Sequence, residues 1–568
     1  MNARASVPQL VDAYLTWYFA DNPAHAQLLG AEGFDGRLGD HSAEAMLRRE
    51  REVTEWLARF EALAPAPQLD DEIDRRLAVA QLRGQQLLAE WPAWRRDPSV
   101  YLSTTFFSLL MPYVHRLHPE SFLVEDTLGK LAQLPDVLAS CRDNLDAELA
   151  APLIVGRGLG QARTGRAFVT SSLPGMVGDE RLAARVRGAA EPAAAAFDET
   201  AAFLEDFQQK ARGDWRMGER LYSALLTERE LLGYGAAELH ERGERAYAAL
   251  DAELGELARR IAAESTAGES ADWHALIASL QDDHPPTLEA MREEYEAETE
   301  RARQFARERG IVTFARGEEC RVVPSPEFQR PILAVASYMS PPPLTESRVG
   351  HFFVPYAPAE FTEDQVRQRL ATNSRAQIPT ISVHEAYPGH HWHLSWSANS
   401  TRTLRKVHRT PYFSEGWALY VETVMRDAGY FTDPRHELAH VEARAFRAAR
   451  IVVDTALHCG DMTAEQAEAF MVQKTALSVG TAKGEVSRYC AWPTQAPSYL
   501  TGCLEIERIR DEYLARGLGS RREFHDTIAG SGSLPLGLAR AAALGGFGPD
   551  AGRERESAGS VEEAQTAG

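Results

Sequence analysis

The sequence predicts a mainly α-helical protein with one small β-sheet beside a histidine-bearing helix. Three observations carry that expectation. Apolar residues recur at helical spacing through most of the 568 residues, which lines them up on one stripe of each helix. A single interval, 311–358, is instead rich in Pro and β-branched residues. No repeat of fixed period is evident, so a solenoid is not expected.

The elements follow in order. Ser42 is placed to cap a helix whose Met46, Val53, Trp56, Leu57 and Phe60 share a face. The same pattern recurs over 70–90, 122–148, 192–211, 236–264 and 285–309. The segment LIVGRGLGQARTG carries Gly156, Gly158 and Gly160, but it lacks the full GxGxxG spacing and any βαβ setting. It reads as a flexible connection rather than a nucleotide loop. In the Pro-rich interval VTFA, CRVVPSP, PILAVASYMSPPPL and HFFVPYAP read as short strands. Some of these belong at a sheet edge, where Pro is tolerated. The last of them, 351–358, is the candidate for holding a substrate backbone by strand addition. Helical texture returns over 362–374, 377–397, 413–428, 434–459, 463–478 and 495–516. Residues 546–568 are Gly-, Ser- and Glu-rich and read as a disordered tail. The expected organisation is a helical scaffold half, 1–310, continuous with a catalytic half, 311–545.

Composition narrows the function. With 61 basic and 82 acidic side chains the net charge is −21, which disfavours nucleic acid and anionic membrane surfaces as partners. No run of eighteen apolar residues exists. The N-terminus lacks the continuous apolar core of a signal peptide, since Asp12 interrupts it, and the chain reads as cytoplasmic. Five cysteines, 141, 320, 459, 490 and 503, are odd in number and form no CxxC pair, which points to reduced thiols.

The chemistry concentrates in ISVHEAYPGHHWHLSW, residues 381–396. A zinc hydrolase needs neutral imidazoles as ligands and a carboxylate nearby to take a proton from water. The usual arrangement is HExxH on one helix, because residues four apart share a face. Here Pro388 stands where the second His should be. On a regular helix His384 and His390 would diverge by about 240°, and His384 and His391 would be separated by about 10.5 Å of rise. Either pair needs a distortion, and Pro388 and Gly389 are the residues to supply one as a local bulge. Downstream, YFSEGWALYVETVM places Glu415 in the first turn of an apolar helix, with Ser414 as its expected cap. A carboxylate on such a helix is seldom buried unpaired, and a metal would explain it. Glu422, seven residues on, shares the face and could support a ligand.

Two further segments carry candidate groups. Arg447, Arg450, Asp454 and His458 fall on one face of a helix and could form a buried network that orients a ligand or binds substrate. EVSRYCAWPTQAPSYLTG offers Arg488, Tyr489, Gln495 and Tyr499, donors of the kind that stabilise a developing oxyanion or hold a carboxylate.

In this order HEAYPGHH, EGWALYVE, RIVVDTALH and RYCAWPTQAPSY resemble the domain of unknown function 885 family, a relative of the zincin metallopeptidases. NPAHAQLLG near the start and GSLPLGLAR near the end extend the resemblance over nearly the whole chain. It implies a zincin-like helical domain with a deep cleft and a gluzincin-type site. HEAYPGHHWH is also similar to the motif of thimet oligopeptidase-like enzymes with two residues added. That similarity implies His384, His390 and Glu415 as ligands of one Zn2+ per chain, with His391 the alternative to His390, and sets His393 beside the later histidine of that motif. Glu385 becomes the general base, with Tyr489, Tyr499, Arg488 and His458 as further catalytic candidates. The expected activity is hydrolysis of peptide or peptide-like amide bonds, on short peptides. Arg447, Arg450 and Arg488 could grip a free C-terminal carboxylate. A metal-dependent amidohydrolase acting on a small non-peptide amide and a non-catalytic helical binding protein are the competing readings.

Overall fold

The computed structural model describes residues 6–264, 269–327, 330, 335–460 and 462–547. The tail expected from 546 lies outside these residues from 548 on. Helices dominate, as the periodicity predicts. Ser42 caps the helix Ala43–Glu61, its hydroxyl accepting from the Ala45 amide at 3.3 Å, and the helix buries Met46, Val53, Trp56, Leu57 and Phe60. Leu69–Ala89, Glu120–Asn144, Ala236–Glu264 and Leu288–Glu308 form where their stripes predict. The helix expected from 192 starts at Glu180, capped by Asp179, with Pro192 in its interior. A Pro reads as a start signal because its missing donor costs nothing in the first turn, and here that signal misleads.

The glycine-rich segment is no loop. It lies in the helix Pro152–Ala167. A Cβ on Gly158 would stand 2.5 Å from Pro98, and one on Gly165 would stand 2.1 Å from Phe197 of Glu180–Lys210. The glycines let this helix seat closely against its neighbours.

Three strands make one sheet: β1 (Glu319–Pro324), β2 (Ser337–Met339) and β3 (Val349–Val354). The order is β1-β3-β2, with β3 parallel to β1 and antiparallel to β2. VTFA, 312–315, is not extended into a strand. The expectation that 351–358 offers a free edge is corrected, because β3 is paired on both sides. Its Phe352 and Val354 are fully buried, and apolar alternation signals burial but not sheet order.

Buried apolar side chains fall into two clusters. One comprises Leu38, Met46 and residues between Tyr101 and Ala211. The other joins segments from both ends of the chain, including the helices around the HE motif. A cavity of ≈ 1230 Å³ lies between them, lined by Trp17, Trp94 and Phe107 on some sides and Tyr412, Arg488 and Trp492 on others.

Candidate metal centre

The HE motif sits on two helices, not one. Ile378–Glu385 ends at Ala386, and His390–Ser397 begins after Gly389. A Cβ on Gly389 would lie 2.0 Å from the His384 carbonyl oxygen and 2.2 Å from that of Val383, so a side chain there would strike the first helix. The Trp417 indole N–H donates to the Pro388 carbonyl at 2.9 Å, and the Trp392 amide reaches back to Ala386 at 3.1 Å. The bulge expected within one helix is therefore a full break pinned on both sides. It brings the His384 and His390 rings to 4.8 Å between centroids, nearly perpendicular.

Glu415 comes from Pro411–Asp427, whose cap is Thr410 and not Ser414. Ser414 lies inside the first turn, its hydroxyl donating to the Thr410 carbonyl. Pro at the first helical position moves the start three residues upstream of the expected cap. Glu415 Oε2 is 3.2 Å from His390 Nε2 and 3.5 Å from His384 Nε2. One donor atom each from His384, His390 and Glu415 fall within 4.8 Å of one another.

Glu422 lies one heptad beyond Glu415 on the same helix. Its Oε1 pairs with His384 Nδ1 at 2.7 Å and its Oε2 with His440 Nδ1 at 3.1 Å. A carboxylate on Nδ1 holds the proton there, so Nε2, which faces Glu415, is the nitrogen that a metal could take once its own proton leaves. Burial opposes charge on His384, yet hydrogen bonds to Glu415 and Glu422 push it up to about 9. Burial alone would raise Glu415, but His390 and His384 hold its carboxyl well below the usual carboxylate range. Glu422 is held down to about 2 against burial by His384 and His440. The Glu385 carboxylate makes no hydrogen bond among the described residues, and burial raises its pKa.

Two of the three donor separations match a tetrahedral zinc site. Bonds of about 2.0–2.1 Å in a tetrahedron put neighbouring donors roughly 3.3 Å apart. The two N···O separations, 3.2 and 3.5 Å, bracket that value.

His391 points elsewhere. Its Nδ1 meets the Tyr338 hydroxyl of β2 at 2.9 Å, and its Nε2 meets Glu318 at 3.0 Å. Glu318 also accepts from Tyr387 and Arg303. The structure thus places His390, and not His391, beside Glu415. His393 is fully buried, 3.4 Å from the Ser533 hydroxyl, with its ring against Phe413 and Trp417.

The Arg–Asp–His stripe on Pro434–Cys459 does not form the connected network expected of it. Asp454 accepts from the Tyr222 hydroxyl at 2.6 Å and the Thr494 amide at 3.1 Å. His458 Nε2 meets the Tyr489 carbonyl at 3.0 Å. Arg450 pairs with Glu485 at 2.8 Å, and the buried Tyr489 hydroxyl donates to the same carboxylate at 2.5 Å. Arg488 also pairs with Glu485 and donates to Gln495. The candidates face different partners, with Arg450 and Arg488 sharing Glu485 and with Asp454 Oδ1 and His458 Nδ1 left unpartnered among the described residues, because helical spacing aligns side chains without choosing what faces them. Tyr499 lies with its ring 4.8 Å from the Arg450 guanidinium and 5.7 Å from that of Arg447. Arg447 donates to the Ala443 carbonyl, and its buried Nε has no partner.

Sequence reasoning missed Glu318, Tyr338, Tyr387, His440 and Glu485. His440 was findable: it precedes Arg447 by seven residues and continues the stripe through Arg447 and Asp454. Glu318 carried no local signal, since its partners lie some seventy residues downstream.

Comparison with known proteins gives the family. The model of the family described as "Bacterial protein of unknown function (DUF885)" matches residues 23–542, so the chain belongs to that family. A search of curated proteins finds no match. Among solved structures, "a putative lipoprotein of unknown function from Shewanella oneidensis" is similar with a TM-score of 0.76 at 21% identity, covering 94% of this chain and 99% of that one. "The putative lipoprotein from Colwellia psychrerythraea" gives 0.79 at 18% identity, covering 95% and 99%. Both share the fold. They also correct the cytoplasmic expectation: the same fold occurs in chains described as lipoproteins, so it is no mark of a cytoplasmic protein. The physical reason is that an anchor acts outside the packed domain, where core composition and periodicity carry no record of it. Among the described residues no helix is long and apolar enough to cross a membrane.

Proposed function

We propose that this member of the family is a zinc-dependent hydrolase of amide bonds, acting on short peptides or peptide-like substrates. The observation that carries the reading is the convergence of His384 Nε2, His390 Nε2 and Glu415 Oε2, with His384 oriented from behind by Glu422. Zinc held there would act as a Lewis acid on a carbonyl and make water a nucleophile near neutral pH.

The chain's own residues supply the rest. Glu422 fixes the tautomer of His384 and keeps its second nitrogen free for binding. Glu385, adjacent in sequence to His384, is the base: its carboxylate has no hydrogen-bond partner of its own among the described residues, and burial raises its pKa toward the range where a carboxylate can both take and return a proton. Tyr499, beside Arg447 and Arg450, is the side chain best placed among the late tyrosines to face a developing negative charge. Tyr489 is committed to Glu485 and Arg450 and acts as packing.

The test is metal analysis of the purified protein together with hydrolysis of a panel of blocked and free short peptides. About one zinc per chain and chelator-sensitive cleavage are expected. Stoichiometric zinc surviving in a His384→Ala, Glu415→Ala double variant would sink the assignment.

A further inference from the structure

The cavity between the two apolar clusters has a chemistry of its own. Phe107 and Trp492 are 44% and 60% exposed, unusual for side chains so large and apolar, and both line the cavity. They stand on different walls. Phe107 belongs to Ser99–His115, whose neighbours pack around the Tyr101–Ala211 cluster, while Trp492 follows directly on Val479–Ala491. Each wall also contributes a guanidinium, Arg157 from Pro152–Ala167 and Arg488 from Val479–Ala491. The two helices that carry these arginines touch.

The charges around them do not balance. Among the described residues the Arg157 guanidinium makes no hydrogen bond or ion pair. Arg488 pairs with Glu485 at 3.0 Å, but the same carboxylate oxygen takes Arg450 at 2.8 Å and the Tyr489 hydroxyl at 2.5 Å. On the other wall the carboxylate beside Arg157 is Asp97, which already accepts from the Ser99 amide at 2.8 Å. Three guanidiniums, Arg157, Arg450 and Arg488, thus share two carboxylates, Asp97 and Glu485. Elsewhere along the cavity Arg49 pairs with Asp21, Arg229 pairs with Glu230, and Glu50 accepts from the Trp94 indole. The surplus positive charge is local, set inside a protein of net charge −21. A cationic recess with low-dielectric walls concentrates anions of matching shape.

We infer that this end of the cavity binds a carboxylate bearing an adjacent apolar or aromatic group, with Arg157 and Arg488 forking onto the carboxylate and Phe107 and Trp492 covering the apolar part. A planar guanidinium matches a carboxylate in two parallel hydrogen bonds, and the rings supply area with little loss of side-chain freedom. The cavity also reaches Pro411 and Tyr412, within the turn that precedes Glu415, and Gln495, four residues before Tyr499. On the hydrolase reading, which this inference deepens, the bound carboxylate is the substrate's own terminus and the scissile amide lies inward of it.

Binding to the full chain, stripped of metal by chelator, tests the inference separately from hydrolysis. The probes are N-acetylphenylalanine, its C-terminal amide, and the free-acid tripeptide Ala-Ala-Phe, read by calorimetry and by tryptophan fluorescence. N-acetylphenylalanine is expected to bind at least tenfold more tightly than its amide, and Arg157→Gln to remove about that factor for the acid alone, a loss typical of one charge-assisted pair. Trp492→Ala, at an exposed position that leaves the fold intact, should weaken both ligands and abolish the fluorescence change. Tighter binding of the tripeptide than of the acylated amino acid identifies a peptide end as the ligand, and equal binding identifies a small aromatic acid. Equal affinity for acid and amide, no binding of either at millimolar concentration, or an Arg157→Gln variant that keeps full preference for the acid would overturn the inference, whether or not the protein hydrolyses anything.

Discussion

The candidate metal centre and the Asp454–His458 face of Pro434–Cys459 are built from the same materials. Both place imidazoles and carboxylates on apolar helices, and both bury them. At the centre, Nε2 of His384 and of His390 turn toward one carboxylate, Glu415, and no other hydrogen bond among the described residues occupies those atoms. On the other face Asp454 Oδ2 accepts from Tyr222 and Thr494, and His458 Nε2 meets the Tyr489 carbonyl, while Asp454 Oδ1 and His458 Nδ1 have no partner among the described residues. Thr494 has φ +68°, a left-handed conformation that a β-branched residue rarely adopts, and Asp454 holds its amide there. One region aims its donor atoms at a common point, and the other turns Asp454 Oδ2 and His458 Nε2 to separate partners. Residue type and helix face do not separate the two cases; the partner of each nitrogen and oxygen does.

The largest effect expected of any single change is at Glu385. On the proposed function Glu385→Gln keeps the ligands and removes the base, so zinc content should stay near that of the parent while turnover falls by roughly 10²–10⁴. A variant that loses its zinc instead would move Glu385 into the ligand set and redraw the centre.

Next comes the dependence of zinc affinity on pH. In the metal-free protein His384 titrates near 9, against an ordinary 6.5. Zinc must displace that proton, so affinity should rise by about tenfold per unit between pH 6.5 and 8.5. The linkage to stability has the opposite sign. Charged His384 contributes its full stabilisation of the metal-free fold below pH 6.5 and loses it as pH rises through 9. Zinc titrations and thermal melts of metal-free protein at the two pH values read both. A flat affinity would mean that Glu422 and Glu415 do not hold a proton on His384.

Glu422→Gln keeps the volume and removes the charge behind His384. It should weaken zinc binding by about 10–100-fold, as measured by competition with a chelator. No change would place Glu422 with the purely structural carboxylates.

The smallest expected effect sharpens the contrast from the other side. His458→Ala removes one buried hydrogen bond to backbone and should cost about 1–3 kcal/mol of stability with zinc content unchanged. Zinc lost from His458→Ala at a temperature where the protein stays folded would erase the distinction between the two regions.

Much of the centre was legible in the sequence because its signals are local. The HE pair, the Gly-His pair five and six residues on, and Glu415 and Glu422 one heptad apart all lie within 39 consecutive residues. Their chemistry and helical phase suffice to pair Glu415 with Glu422 on one face. The mainly helical class followed from periodicity in the same way. Three kinds of feature escaped. The glycines of Pro152–Ala167 read as a loop, although their role is close packing against Pro98 and Phe197, residues that lie tens of positions away. The sheet order put β3 at the centre, where its sequence alone suggested an edge. Only contact with Tyr338 and Glu318 removed His391 from the ligand set, leaving His390.

The sequence by itself determined most of the long amphipathic helices, where the single sheet falls, and which short stretch holds the imidazoles and carboxylates of a candidate metal centre. Each of these depends on period, composition and spacing within a few turns of chain. The tertiary structure decided which nitrogen faces which oxygen, that the motif helix breaks fully at Gly389, and that Arg157 and Arg488 line one cavity. Those outcomes depend on atoms brought together from positions up to about 330 residues apart, and no local pattern encodes what stands on the far side of a contact.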